Sequence, residues 1–162
     1  MEEGKFFIRE AEHSDLDRIV ELWKELFNYH EQFDDIFEIA PGGEKHYRAF
    51  AEVHIERDDG LLLVVVEGDE VIGYCMGQMK VMPPIARQRD IGMIVDMTIT
   101  ASKRSEGLGR MLAQRVEGEF SKRGAERMEL RAATGNRLSN HFWEKVCGYA
   151  EFGKMYFKDI SQ

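Results

Sequence analysis

The residues best suited to chemistry are Arg104-Ser105-Glu106-Gly107-Leu108-Gly109. An apolar run, Ile94-Val95-Asp96-Met97-Thr98-Ile99, precedes them. After them apolar residues recur at helical spacing: Leu108, Met111, Leu112, Val116 and Phe120. The pattern predicts strand, glycine-bearing turn, helix. Such a turn aims backbone N–H groups and the positive end of a helix dipole at one spot, which suits a phosphate. Glycine belongs where the backbone must approach an anion closely or adopt a positive φ. Arg104 and Arg110 can add charge to the same place.

Composition limits what such a site could serve. The chain has 162 residues, enough for one domain with a sizeable core, and residues 1–162 are read as that single domain. Apolar residues make up 43% and charged residues 32%, an ordinary balance for a globular protein. The net charge of −8 argues against a nucleic-acid partner, which calls for a basic surface. Cys75 and Cys147 lack metal-ligand spacing and read as buried free thiols in a reducing compartment, with no metal expected. No apolar run is long enough to span a bilayer, and Met1-Glu2-Glu3-Gly4 is unlike a signal peptide. The expectation is a cytoplasmic protein with no membrane partner; a homodimer is compatible with it.

The elements that must position the loop follow from periodicity. Phe6-Phe7-Ile8 predicts a short strand, and Ser14-x-x-Asp17 approximates a capping box for a helix from about Asp15 to Tyr29. Pro41-Gly42-Gly43 breaks the next stretch, before a second helix over Glu44 to Arg57 with Tyr47, Phe50, Ala51 and His54 on one face. Leu61 to Val66 is a continuous apolar run, the mark of a strand buried on both sides. Glu67-Gly68-Asp69-Glu70 turns it into a return strand, Val71 to Val81, where Gly73 and Gly77 suggest a bulge or a close backbone contact. Strands follow at Gly92–Thr100 and Met128–Arg131, with the third helix between them. Asn136 opens a fourth helix running to Val146. Gly148-Tyr149 and Met155-Tyr156-Phe157 read as two closing strands. The order β-α-α-β-β-β-α-β-α-β-β is that of an α+β, or mixed α/β, domain with about four helices.

Arg104-x-x-Gly107-x-Gly109, placed after the fourth strand of that order, resembles the GNAT acyltransferase superfamily, whose signature there is Gln/Arg-x-x-Gly-x-Gly/Ala. The likeness extends over nearly the whole chain, including the asparagine opening the last helix and the Gly148-Tyr149 that follow it. It implies a central, mostly antiparallel sheet. It also implies that acetyl-CoA is a cosubstrate, with its pyrophosphate on the amides of Arg104, Ser105, Glu106, Gly107, Leu108, Gly109 and Arg110. The backbone of Met97, Thr98 and Ile99 would pair with pantetheine, and Asn136 would lie near the cofactor. The dinucleotide fingerprint Gly-x-Gly-x-x-Gly is a poor match, because it sits after the first strand of a βαβ unit.

The resemblance implies an N-acyltransferase, most simply an acetyltransferase in which an amine attacks the thioester directly while N–H groups near Met97 stabilise the oxyanion. Two departures leave its proton transfers open. Trp143 stands seven residues after Asn136, where many members carry a tyrosine acid, and an indole only donates. Gly148 also comes one residue late. In the strand, simple alternation places Met93, Val95 and Met97 on one face and Ile94, Asp96 and Thr98 on the other. Relatives carry a base at positions matching Met93 or Val95, which are apolar here; Asp96, the strand's one carboxylate, is expected to face away.

Deprotonating an alkylammonium of pKa about 10.4 at pH 7 costs roughly 4–5 kcal/mol, so something must take the proton. The candidates are His30, Glu31, His54 and Asp96. The acidic, aromatic stretch from Tyr29 to Glu44, with Tyr29, Glu31 and Asp34, would suit a cationic amine, whether small molecule or peptide. A CoA-binding module without turnover, acting as a sensor or interaction domain, is the alternative that Trp143 and the apolar Met93 and Val95 leave open.

Overall fold

Six apolar residues in a row at 61–66 leave a strand no polar face to turn outward, so both its sides must be covered. The computed structural model, which describes residues 6–160, builds the sheet around that strand. The segment Met1–Gly4 lies outside the described residues. Strand β2 (Gly60–Glu67) is buried from Gly60 to Val66. It pairs antiparallel with β1 (Phe6–Glu10) on one edge and β3 (Glu70–Val81) on the other. Strand β4 (Asp90–Ile99) continues antiparallel from β3, and the short β5 (Arg127–Glu129) joins β4 in parallel. The spatial order is the chain order, β1 to β5. The fold is thus the expected α+β one, a mostly antiparallel sheet with four helices.

Helices α1 (Leu16–His30) and α2 (Gly43–Glu56) cover one face of this sheet. Leu16, Ile19, Leu22 and Trp23 of α1, with Tyr47 and Ala51 of α2, pack on Leu62, Val64, Val66, Tyr74 and Met76. Helix α3 (Leu108–Lys122) covers the other face with Leu108, Leu112, Ala113, Val116 and Phe120. The two coverings alternate along β3, because Met76 belongs to the α1/α2 core whereas a Cβ on Gly77 would meet the Phe120 ring at 2.8 Å. Gly77 is a true close approach, since the same Cβ would also lie 2.9 Å from the Met93 carbonyl.

The chain separates into two compact units, Met1–Arg131 and Ala132–Gln162. The second contains α4 (Arg137–His141), which continues into a π-helical turn at Phe142–Val146. The two closing strands expected at Gly148-Tyr149 and Met155–Phe157 do not form; among the described residues no strand follows β5. β-Prone residues alone are insufficient, because a strand exists only where a neighbour completes its ladder. No helix among the described residues is long and apolar enough to cross a membrane.

Local chemistry differs from expectation in three further places. The cap of the first helix lies at Glu12-x-x-Asp15, two residues before the expected Ser14-x-x-Asp17. Asp15 accepts the Glu12 N–H at 2.8 Å and takes a two-pronged pair from Arg9 at 2.6 and 2.9 Å. The bidentate arginine at the end of β1 selects Asp15 over Ser14. Cys75 is buried and free, as expected, whereas Cys147 is only half-buried. Leu138, Phe142 and Val146 recur at four-residue spacing in the expected fourth helix, yet Leu138 is 73% exposed and Trp143, off that stripe, is the buried residue.

Two outcomes test this architecture. Gly77→Val should lower stability by about 1–3 kcal/mol through overpacking against Phe120, read from denaturant midpoints. The Arg9 pair, with the Glu12 amide, holds the Asp15 carboxyl below the usual range. Its stabilisation is therefore present above the unfolded pKa of about 3.9 and is lost as pH falls through the lower folded value. Asp15→Asn should cost about 1–3 kcal/mol at pH 7, with the difference from the parent shrinking in acid below pH 4.

Candidate functional site

Strand β4 is regular on neither edge, and both irregularities lie at the expected site. On the β3 side, Met76 opposes Asp96 while the next residue, Gly77, opposes Ile94. Val95 is the extra residue of a β-bulge, which breaks the two-residue alternation. On the β5 side, pairing covers only Ile91–Met93, against Arg127–Glu129. From Ile94 onward, that edge of β4 pairs with no strand among the described residues. Backbone N–H and C=O groups along an edge without a neighbouring strand are able to meet an extended ligand.

The bulge overturns the expected orientation of Asp96. Val95 packs against the α1/α2 core, and Asp96, next in the chain, bonds Tyr47 of α2. Both side chains therefore lie on the α1/α2 side, together with Met93 and Thr98; Ile94 and Met97 take the α3 side. Asp96 thus shares the face from which it was excluded by simple alternation.

Asp96 Oδ2 accepts the Tyr47 hydroxyl at 2.8 Å, and Tyr47 Oη lies 2.9 Å from Tyr74 Oη. Among the described residues Oδ1 accepts no hydrogen bond. Burial pushes the Asp96 carboxyl above the ordinary carboxylate range; the Tyr47 hydrogen bond, His54 and His30 pull against that rise. A carboxylate raised in this way is a better proton acceptor than an exposed one, yet it has a partner for one oxygen. His30 and His54 each place Nδ1 on a carbonyl of their own helix, at 2.7 Å to Leu26 and 2.8 Å to Phe50. No signal in the sequence singled out Tyr47 and Tyr74 as partners of this carboxylate, because neither residue spacing nor motif links them to Asp96.

After β4 the chain makes a 3-10 turn at Ala101–Lys103 and reaches the glycine loop. Arg104 Nε donates to the Ile99 carbonyl at 3.0 Å, and Lys103 Nζ pairs with Glu67 at 2.5 Å, so the loop is fastened to the sheet. Ser105 takes φ +67° and Gly107 φ +81°, both left-handed, which turns successive amides inward as a concave nest. Met111 N–H bonds Gly107 O at 3.1 Å as the first rung of α3. The amides of Leu108, Gly109 and Arg110 come before that ladder and are the helix's natural anion donors. Ser105, Glu106 and Arg110 are exposed, while Met97 is half-buried and Thr98 and Ile99 are buried, leaving those three to act through their backbone. One continuous stretch, Ile94 to Arg110, thus joins an open strand edge to a loop with two left-handed residues at the start of α3.

The expected acceptor residues separate. Glu31 lines a hollow of about 570 Å³ with Lys24, Asn28, Asp35, Glu38, Ile39 and Glu44. Tyr29 instead packs edge-on against His30 and Phe33, and the Asp34 carboxylate caps the Ile36 N–H at 3.0 Å.

In the second unit, Asn136 is an N-cap, its side chain accepting the Ser139 N–H at 3.1 Å. Trp143 is buried, with its ring against Phe142 and Tyr149 at 4.9 and 5.3 Å. The π turn accounts for the late glycine. Cys147 N–H reaches back five residues to Phe142 O at 3.0 Å, and this wider turn absorbs one extra residue before Gly148.

Comparisons with known proteins bear on the fold and the family. No curated protein matches the sequence closely enough to count. Among solved structures, a tetramutant of the BH1408 protein from Bacillus halodurans superposes with a TM-score of 0.82 at 19% identity, covering 94% of this chain and 99% of that one. The aminoglycoside N-acetyltransferase AAC(6')-Iy in complex with CoA gives 0.79 at 16% identity, over 98% and 97% of the two chains. A predicted acetyltransferase from Clostridium acetobutylicum, solved with acetyl-CoA, gives 0.75 at 16% identity, over 96% of each chain. These likenesses establish the fold, and the family model described as "Acetyltransferase (GNAT) family" matches residues 16–149. The chain therefore belongs to the acetyltransferase (GNAT) family, as an N-acetyltransferase.

Proposed function

We propose that this protein transfers the acetyl group of acetyl-CoA to the amino group of a small cationic acceptor, with Asp96 taking the ammonium proton. The observation that carries the reading is the interruption of β4: its open edge leads directly into the Arg104–Arg110 amide nest, and its bulge brings Asp96 to the face of Val95. Pantetheine would pair with the edge near Met97, Thr98 and Ile99, and the pyrophosphate would meet the amides of the loop. We read the two compact units as one functional domain, a reading supported by a family match that spans both. Asn136 serves as a cap whether or not it also lies near the cofactor.

The chemistry then balances simply. The acceptor ammonium gives a proton to Asp96 Oδ1. The freed amine forms a bond to the thioester carbonyl carbon while N–H groups beyond Val95 hold the oxyanion; the nitrogen of the adduct then gives its second proton to water, and the C–S bond breaks to release CoA thiolate. Trp143 offers no acid for that thiolate, which leaves water to protonate it. The reaction stays feasible because positioning contributes effective molarities on the order of 10⁵–10⁸ M, against about 10²–10⁴-fold for acid–base help.

The acceptor class follows from charge. The hollow beside Glu31 carries four carboxylates, Glu31, Asp35, Glu38 and Glu44, against one lysine, Lys24, which pairs with Glu44 at 2.7 Å. That balance favours a polycationic small molecule. Structural neighbours include aminoglycoside acetyltransferases, one of them solved with sisomicin, which makes such amines the first probes to use.

Acetyl-CoA at a hundred times its Kd should stabilise the protein by about 2.7 kcal/mol, seen as a rise in Tm. Arg104→Glu combined with Gly107→Val should abolish that rise, because the second change forces a branched side chain to φ +81°. Absence of any rise in the parent protein sinks the reading. With sisomicin and spermine as amines and CoA thiol release as readout, Asp96→Asn should lower kcat by about 10²–10⁴-fold while leaving the acetyl-CoA-induced Tm rise intact. Cofactor binding without thiol release on any amine would favour the non-catalytic module, the reading that Trp143 motivates.

A further inference from the structure

Tyr47 belongs to no motif, yet its surroundings leave its hydroxyl little freedom. Its ring is stacked on Trp23, with centroids 4.3 Å apart and planes within 6°, and Phe50 lies beside it at 6.2 Å. A phenol clamped in this way can present its oxygen only along the ring axis. That oxygen meets Asp96 Oδ2 at 2.8 Å and Tyr74 Oη at 2.9 Å, between α2, β3 and β4.

Counting protons fixes the direction of the chain. Each phenol carries one O–H, and an ionised carboxylate only accepts. Tyr47 must give its proton to Asp96, so Tyr74 must give its own to Tyr47. Burial pushes both phenols well above their ordinary range, so both remain donors. The sequence of donors therefore runs one way, from β3 through α2 to the bulge of β4.

We propose that Tyr47 is a positioning residue for the proton acceptor: its hydroxyl, backed by Tyr74, pins Asp96 Oδ2 and so keeps Oδ1 turned toward the incoming amine. This rests on the reading of Asp96 as the base. The bulge gives the need for such a pin. Val95 has no partner across the ladder, so the backbone beneath Asp96 is less firmly held than in a regular strand. A half-buried carboxylate with two side-chain torsions would otherwise turn toward whichever donor is nearest. The titratable groups around it are His30 from α1, Tyr47 and His54 from α2, and Tyr74 and Cys75 from β3. The two histidines favour the ionised carboxylate, as Tyr47 does, but their Nδ1 atoms are tied to helix carbonyls. Among the described residues Tyr47 alone donates a hydrogen bond to Asp96.

Tyr47→Phe keeps the stacked ring and removes only the O–H, so it separates positioning from packing. In protein labelled with ¹³C at aspartate Cγ, the Asp96 resonance is identified by its absence in Asp96→Asn, and its titration needs no acceptor. Tyr47→Phe should move the Asp96 midpoint upward by about one to two pH units. Tyr74→Phe should move it in the same direction by less, because it only weakens the donor behind the donor. With sisomicin or spermine as the amine, the acid limb of kcat should move up with the midpoint, while the KM for acetyl-CoA stays unchanged. A Tyr47→Phe protein that melts normally but shows an unmoved Asp96 midpoint, or an unmoved kcat limb, overturns the inference. Should Tyr47→Phe fail to fold, Tyr74→Phe carries the same test, and an unmoved midpoint there is equally decisive. Full kcat in Asp96→Asn removes the base reading itself; an inactive Asp96→Asn beside an unaltered Tyr47→Phe removes only the role given to Tyr47.

Discussion

The structure depends on a single dislocation in β4, where Val95 has no partner across from β3. A regular strand would present Asp96 to α3 and give the sheet an uninterrupted fourth member. One extra residue changes both. It rotates the strand beyond it, so that two consecutive side chains, Val95 and Asp96, face α1 and α2. It also coincides with the point at which β5 stops accompanying β4, just after Met93. The sheet is therefore sound through its first half and open in its second, and the open half leads into the glycine loop. Bulges re-aim side chains at a cost in regularity, and that cost is concentrated here where the chemistry is expected.

Helices α1 and α2 do more than cover apolar strands. Between them and the sheet runs a polar thread, Tyr47 of α2 with Tyr74 of β3 and Asp96 of β4, beside a core that includes Trp23, Ala51, Val64 and Met76. Burying a carboxylate is expensive unless it is hydrogen-bonded, and an aliphatic residue at 96 would pack with less penalty. Retaining a charge there raises its proton affinity, with the phenol limiting the rise. The opposite face has no such compromise: Phe120 fills the space left by the absent side chains of Gly77 and Gly92, and α3 packs close to the sheet. One face is optimised for packing and the other holds a polarised group, the division expected when stability and function share one small core.

The second unit solves a local problem of its own. A π turn at Phe142–Val146 continues α4 and widens its last turn by one residue before Gly148. The turn keeps Trp143 buried against Phe142 and Tyr149 while Asn136 caps the start of α4. Such single π turns occur mostly inside or at the end of α-helices.

Local patterns were legible in the sequence because they are written in neighbouring residues. The apolar run 61–66, the helical stripes of α1 and α3, the turn at Gly68 and the glycine loop all follow from residues within a short window, and the order of these elements carries the resemblance to the family. Gly73 and Gly77 even marked the two places where register shifts. What the sequence could not supply was any quantity defined between distant residues. A bulge is a difference in residue count between two strands, so alternation along β4 alone placed Asp96 on the wrong face. Tyr47 and Asp96 lie 49 positions apart, and no spacing rule joins a helix residue to a strand residue at that distance. The cap moved to Asp15 because Arg9, on a different element, reaches it. The closing strands failed because β-propensity describes one segment, whereas a ladder needs two. The sequence by itself determined most of the elements, the glycine-bearing turn before α3 and the family. Only the tertiary structure decided which way the carboxylate points and what holds it there, because orientation is set by contacts between elements rather than by order along the chain.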